Sequence, residues 1–183
     1  MYNFIHQVHK FFNHYLPTGC NMKSSLKLIA TVLVICATSA YANSPKETIA
    51  TLEARLTKIG EAKLEGTEKA GELSVPGLFF GARKINGNFD LVDEIKKVSG
   101  ATATVFVKSG DEFVRVSTNV LTPEGKRGVG TALARAKAYE AVNKGEQYCG
   151  PVDVLGTAFD ACYNPVKDKA GKVIGATYIG YKK

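Results

Sequence analysis

Helical spacing comes first along the chain. Ile49, Leu52, Leu56 and Ile59 follow one another at steps of three, four and three. Ser44-Pro45-Lys46-Glu47 stands just before them, with a capping Ser, a Pro in the first turn and a Glu three residues after the Ser. That is a capping box, so the pattern predicts a helix from here to about Lys69, with Gly60 and Gly66 as weak points. Its single apolar stripe admits two uses, a face packed on the core or a dimer seam, and the few heptads favour the core. Residues 71–88 hold five Gly and Pro with an apolar patch at Leu78-Phe79-Phe80, and they read as a connection that still buries something. Residues 90–98 read as a short helix. Asp90, Asp93 and Glu94 share one of its faces, but Lys96 and Lys97 follow directly, so a solvated face fits better than a cation site.

The period then changes to two. Residues 101–108 and 112–120 alternate around Ser109-Gly110-Asp111 and predict a hairpin. Thr131 is placed to cap a helix over residues 132–143, with Gly145 as its stop. Strands follow over 147–154 and 157–163, joined at Leu155-Gly156, and over 173–181, after a turn at 168–172. Five antiparallel strands with helices mostly to one side make an α+β domain.

Residues 1–42 read as a leader rather than as fold. Lys23 and Lys27 precede an apolar run over 28–37 and then Ser39-Ala40-Tyr41-Ala42, which is a signal-peptide pattern with cleavage after Ala42. The apolar run is short for a membrane span, which needs ~20 residues. Residues 1–21 fit no such leader, so Met22 is the expected start. The organisation expected is a leader to 42, a helix and connection over 43–88, and a sensing domain over 89–183.

Removing the leader changes the chemistry available. It carries Lys10, Lys23 and Lys27 and no acid, so the net charge falls from +7 to +4 over the remaining 141 residues. That is mild and interspersed with acids, which gives nucleic-acid binding no support. His6, His9 and His14 all leave with it, and so do Cys20 and Cys36. With no His, a Ser or Cys hydrolase has no ordinary base, and two Cys are too few for structural zinc. Thr131 stands where a phosphate loop would need Lys, and Gly128-Val129-Gly130 lacks the third Gly of a dinucleotide fingerprint. A carboxylate-pair glycosidase has no spacing in its favour. The chain reads as a binding protein rather than an enzyme, with no cofactor and no metal.

Cys149 and Cys162 remain, an even pair in an exported chain, and so a disulfide; two reduced buried thiols are the alternative. If Leu155-Gly156 is a two-residue turn, the two cysteines face each other. The same register sets Tyr148 opposite Tyr163 and Val152 opposite Phe159, on a face shared with Gly150 and Ala161. Small residues amid aromatic ones leave room for a small molecule, and plain core packing fits equally well. Arg115 lies in an apolar strand between Val114 and Val116, on a face shared with Phe113, Ser117 and Asn119, while Lys126 and Arg127 precede Gly128, Gly130 and Thr131. A half-buried Arg near a Lys-Arg pair suits a small anion, and an ion pair with a neighbouring acid would suit Arg115 as well.

Several of these motifs resemble a known family. Val105-Phe106, the run from Phe113 to Val120, Gly125-Lys126-Arg127 with Gly130-Thr131, Tyr148 with Gly150, Leu155-Gly156, Tyr163 with Pro165-Val166 and Asp168, Gly171 with Val173-Ile174-Gly175, and Ile179-Gly180 are similar to the single Cache domains of bacterial chemoreceptors and sensor kinases, in particular the Cache 3/Cache 2 fusion type. The resemblance covers about residues 90–181. It implies a PAS-like five-stranded antiparallel sheet with a long N-terminal helix on one face and a ligand pocket on the other. It also implies a small extracytoplasmic ligand, often a short carboxylate such as pyruvate or acetate. Carried onto this chain, the contacts it implies are Arg115, Arg127, Thr131 and Tyr148, then Lys126 and Tyr163. One departure is Gly156-Thr157-Ala158-Phe159, where the family usually has Gly-Lys-x-Tyr, which points to a smaller or more apolar ligand. The expectation is a free periplasmic protein for signal transduction or chemotaxis, which presents a short carboxylate to a membrane sensor. The alternative is a ligand-free module that docks such a sensor or dimerises through its first helix.

Overall fold

A computed structural model describes residues 44–183; the expected leader, its cleavage point and the start at Met22 lie outside the described residues. The first helix, α1, spans Pro45–Ile59. Its start is as the sequence predicts: Ser44 Oγ accepts from the Glu47 N–H, and the Glu47 carboxylate accepts from the Ser44 N–H. Ile49, Leu52 and Leu56 form its buried stripe.

The helix does not reach Lys69. Gly60 ends it at φ +148°, where a Cβ would meet the Gly81 backbone at 2.6 Å. Residues beyond it turn into a strand, β1 (Ala62–Ala70), which pairs antiparallel with β2 (Leu73–Phe80); β2 in turn pairs with the two-residue β3 (Arg83–Lys84). The stretch expected to be helix end and connection is thus a three-stranded sheet. Its β1 text, Ala-Lys-Leu-Glu-Gly-Thr-Glu-Lys-Ala, is full of helix formers, but pairing with β2 overrides that preference. Helix α2 follows at Asp90–Ser99, with Gly100 as a left-handed stop.

The main sheet holds five antiparallel strands: β4 (Thr102–Ser109), β5 (Glu112–Thr118), β6 (Tyr148–Val154), β7 (Thr157–Lys167) and β8 (Val173–Lys182). Their order is β5-β4-β8-β7-β6. The expected α+β class and antiparallel five-stranded sheet are present. The β6–β7 register is as read from the two-residue turn, with Cys149 opposite Cys162, Tyr148 opposite Tyr163 and Val152 opposite Phe159. The two cysteines form a disulfide.

Helix α3 covers only Lys137–Asn143, so Thr131 is not its cap. Residues 128–133 instead lie along the outer edge of β5: Arg115 N–H donates to Thr131 O, Gly130 N–H to Arg115 O, and Leu133 N–H to Phe113 O. The edge of β5 satisfies those backbone groups before a helix can form.

Buried side chains fall into two clusters, one on each side of the main sheet. The first is largely aliphatic and takes in Ile49, Leu52 and Leu56 of α1, Leu78 of β2, Ile95 of α2, and Val105 and Ile179 of the sheet. The second holds Phe106, Phe113, Phe159, Tyr163 and Tyr178, with Leu133 from the edge segment and Val142 of α3 above them.

Candidate functional site

A β-bulge decides where Arg115 goes. Strict alternation would put it with Ser117 and Asn119. The β4–β5 ladder shifts between Val105 and Phe106, so Ser117 pairs with Val105 but Arg115 pairs with Phe106. Ser117 and Asn119 then turn to the α2 side, where Ser117 Oγ donates to Asn88 O and Asn119 Nδ2 donates to Val92 O. Arg115 and Phe113 stay on the aromatic side.

There Arg115 is 4% exposed, with its guanidinium carbon 5.0 Å from the centre of the Phe106 ring. Nη1 donates to Thr131 Oγ1 at 2.8 Å and to Ala132 O at 3.1 Å. The Thr131 hydroxyl gives its own proton to Gly128 O at 2.7 Å, which fixes its lone pairs toward Arg115. Among the described residues no carboxylate lies within ion-pair distance of Arg115, and its Nε is buried with no hydrogen-bond partner. A buried cation in that condition is costly unless something else answers it. Nε is also half of the guanidinium edge, with Nη2, that receives a carboxylate side-on.

The rest of the face is a row of rings. Tyr163 and Tyr178 have centroids 4.9 Å apart, Phe106 and Tyr148 each lie 6.4 Å from Tyr163, and Phe159 lies 6.5 Å from Tyr178. Gly180 makes room for one of them: a Cβ there would stand 2.0 Å from the Tyr178 hydroxyl. That hydroxyl is 3.2 Å from Thr102 Oγ1. Burial pushes the Tyr163 phenol well above its usual pKa, and it raises Tyr178 to about 12 against the opposing influence of Thr102 and Arg115. Burial also pulls Arg115 down, with Tyr163 and Tyr178 acting the other way. An Arg stays cationic regardless, and both phenols stay neutral at neutral pH, so Arg115 gives this face its charge.

The Cache 3/Cache 2 fusion domain family model matches residues 22–183, most of the chain. The chain belongs to this family. Cache domains are sensor-type modules that bind small molecules outside the cytoplasm and work in membrane receptors. No curated protein matches the chain. Among the described residues no helix is long and apolar enough to cross a membrane.

Within this Cache domain the expected contacts divide. Arg115, Thr131 and Tyr163 come together, and half-buried Tyr148 flanks them with its hydroxyl donating to Pro151 O at 3.3 Å. Arg127 does not join them. Both its Nη atoms donate to Asp93 at 2.8 Å, Nη1 also donates to Thr118 O, and the group lies 4.5 Å over Phe89. Its fork is taken up in tying the loop to α2. Lys126 is exposed beside the turn at Gly125. Sequence reasoning missed Tyr178 and gave Phe106 no role at the site. The alternation Ala176, Tyr178, Gly180 in the last strand was the available signal, but without the β7–β8 register it pointed to neither face.

Proposed function

We propose that this is a periplasmic, sensor-type Cache protein that binds a short carboxylate and presents it to a membrane sensor. The observation that carries the reading is Arg115: buried, without an acid, and with its Nε unanswered on a face of phenols and rings. A short carboxylate such as acetate or pyruvate supplies two acceptors for the Nε and Nη2 edge, and its small apolar body suits Phe106, Tyr163 and Tyr178. Thr131 holds the guanidinium in place, and Tyr148 stands at the rim. Arg127 and Lys126 are left out of this contact set. The leader ending at Ala42 exports the chain, and the disulfide agrees with an oxidising compartment.

One observation favours a second reading. Tyr163 and Tyr178 are 2% and 1% exposed, so the aromatic face is closely packed. A closed face suits a module that docks a membrane sensor, or a second copy, without a ligand. Thermal unfolding of the purified protein against acetate, pyruvate and other short carboxylates separates the two. At 100 times its dissociation constant a ligand adds about 2.7 kcal/mol, a rise of several degrees. A rise with one carboxylate, lost in Arg115→Lys, supports the sensor. A flat response, with a melting temperature that climbs with protein concentration, supports the docking module instead.

A further inference from the structure

The opposite side of the sheet holds a cavity of about 370 Å³ between α1, the end of β2 and the β7–β8 pair. Its wall carries apolar groups from Leu56, Phe80, Pro165 and Val166 alongside polar residues that include Thr57 and the exposed Lys167. Thr177 and Glu53 are the polar pair on its α1 side. Thr177 is fully buried, and its hydroxyl is 3.3 Å from Glu53 Oε1. Glu53 is half-buried and has no cation within ion-pair distance among the described residues. The nearest Arg in sequence, Arg55, is committed to Glu94 at 2.6 Å. At the mouth, Glu61 and Asp168 add negative charge, and Lys169 is exposed. Asp168 keeps its own carboxylate on the turn, accepting from the N–H groups of Ala170 and Lys172.

We infer that this cavity is a second binding site, separate from the Arg115 face, for a small organic cation, a primary amine on a short apolar body. The volume is that of a small-metabolite pocket. The ammonium sits at the Glu53 carboxylate, which has free lone pairs. Thr177 orients that carboxylate from behind. The alkyl part lies against Leu56, Val166 and the Phe80 ring, whose face attracts a neighbouring cation. A carboxylate ligand is disfavoured here by Glu53, as an amine is disfavoured at Arg115, so the two sites sort ligands by sign.

The test uses the purified protein and three probes of one shape: n-butylammonium, n-butanol and butyrate, followed by amide chemical shifts. Saturable shifts with n-butylammonium, centred on Leu56, Phe80, Val166 and Thr177, are expected. Glu53→Gln, nearly the same size and safe for folding, should weaken that binding about tenfold or more. Three results would overturn the site: n-butanol binding as tightly as the amine, amine-induced shifts centred on Tyr163 and Tyr178, or no saturation by about 50 mM, which is weaker than any useful affinity. Butyrate reports on the Arg115 face in the same experiment, so the two sites stand or fall separately.

Discussion

The two sides of the main sheet are built from different materials. The centre of the α1 side, away from the Glu53 cavity at its margin, is closed by Leu and Ile stripes that need only contact. The other side stacks five aromatic rings and buries a guanidinium with one of its nitrogens unanswered. Aliphatic packing is satisfied as soon as it is dry. A buried cation is satisfied only by a partner of opposite charge or by good acceptors. The first side therefore reads as stability, while the second reads as stability held back for something else, and the difference should appear when each is cut.

The largest effect should come from the aliphatic side. Leu52 is fully buried in α1, so Leu52→Ala should cost about 2–5 kcal/mol in chemical unfolding, yet leave carboxylate affinity of the folded protein unchanged. A change in affinity would show that the two faces are coupled. Next comes the disulfide. Replacing both Cys149 and Cys162 by Ala opens a link across 13 positions and should cost about 2–3 kcal/mol, read from denaturation midpoints with and without reductant. Alkali attacks the aromatic side through its buried phenols. The Tyr178 pKa is raised in the folded state to about 12, so its contribution is whole below pH 10 and is lost as pH climbs from 10 through about 12, on the order of 2 kcal/mol. Phenolate absorbance should then show a late class of tyrosines that ionises with the cooperative unfolding step, and a titration with no late class would contradict this.

Two arginines sharpen the contrast further. Arg127→Ala breaks a partly exposed fork to Asp93 and should cost about 1 kcal/mol with ligand affinity intact. Arg115→Met should change stability least, within about 1 kcal/mol, because two lost hydrogen bonds are offset by relief of a buried charge. The same variant should abolish carboxylate binding in calorimetry. If Arg115→Met instead collapses the fold, the guanidinium is a structural group and the sensor reading fails.

Local signals explain which parts of this were readable in advance. The capping box at Ser44 and the two-residue turn at Leu155-Gly156 act within a few residues, so α1's start and the register from Cys149 to Cys162 followed from spacing alone. β1 did not, because its strand state depends on β2 and its exposed Lys and Glu carry no period-two burial. Residues 131–136 were misread for a related reason. Their Ala-rich text prefers helix, but the free edge of β5 takes the Leu133 N–H and donates its Arg115 N–H to Thr131 O first. At the site, Arg115 was visible as a charge in an apolar strand. Thr131, Tyr148 and Tyr163 were named only through the family resemblance, and strict alternation gave Arg115 the wrong strand companions, because a bulge at Val105/Phe106 turns Ser117 and Asn119 to the other face. Arg127 looked equally suited until the three-dimensional position of Asp93 was known.

Cys149 lies on β6, the outermost strand of the sheet, and its residue is exposed, whereas Cys162 is buried on β7. The edge of β5 at the far side is already covered by the segment from Gly128 to Leu133, so among the described residues β6 presents the unpaired edge of this sheet. An uncovered strand is a template for strands of other chains. The bond to Cys162 keeps that template from peeling away and pairing elsewhere. Protein made under reducing conditions would thus be prone to clumping before it shows any loss of ligand recognition, and the oxidant in the refolding buffer would decide the yield.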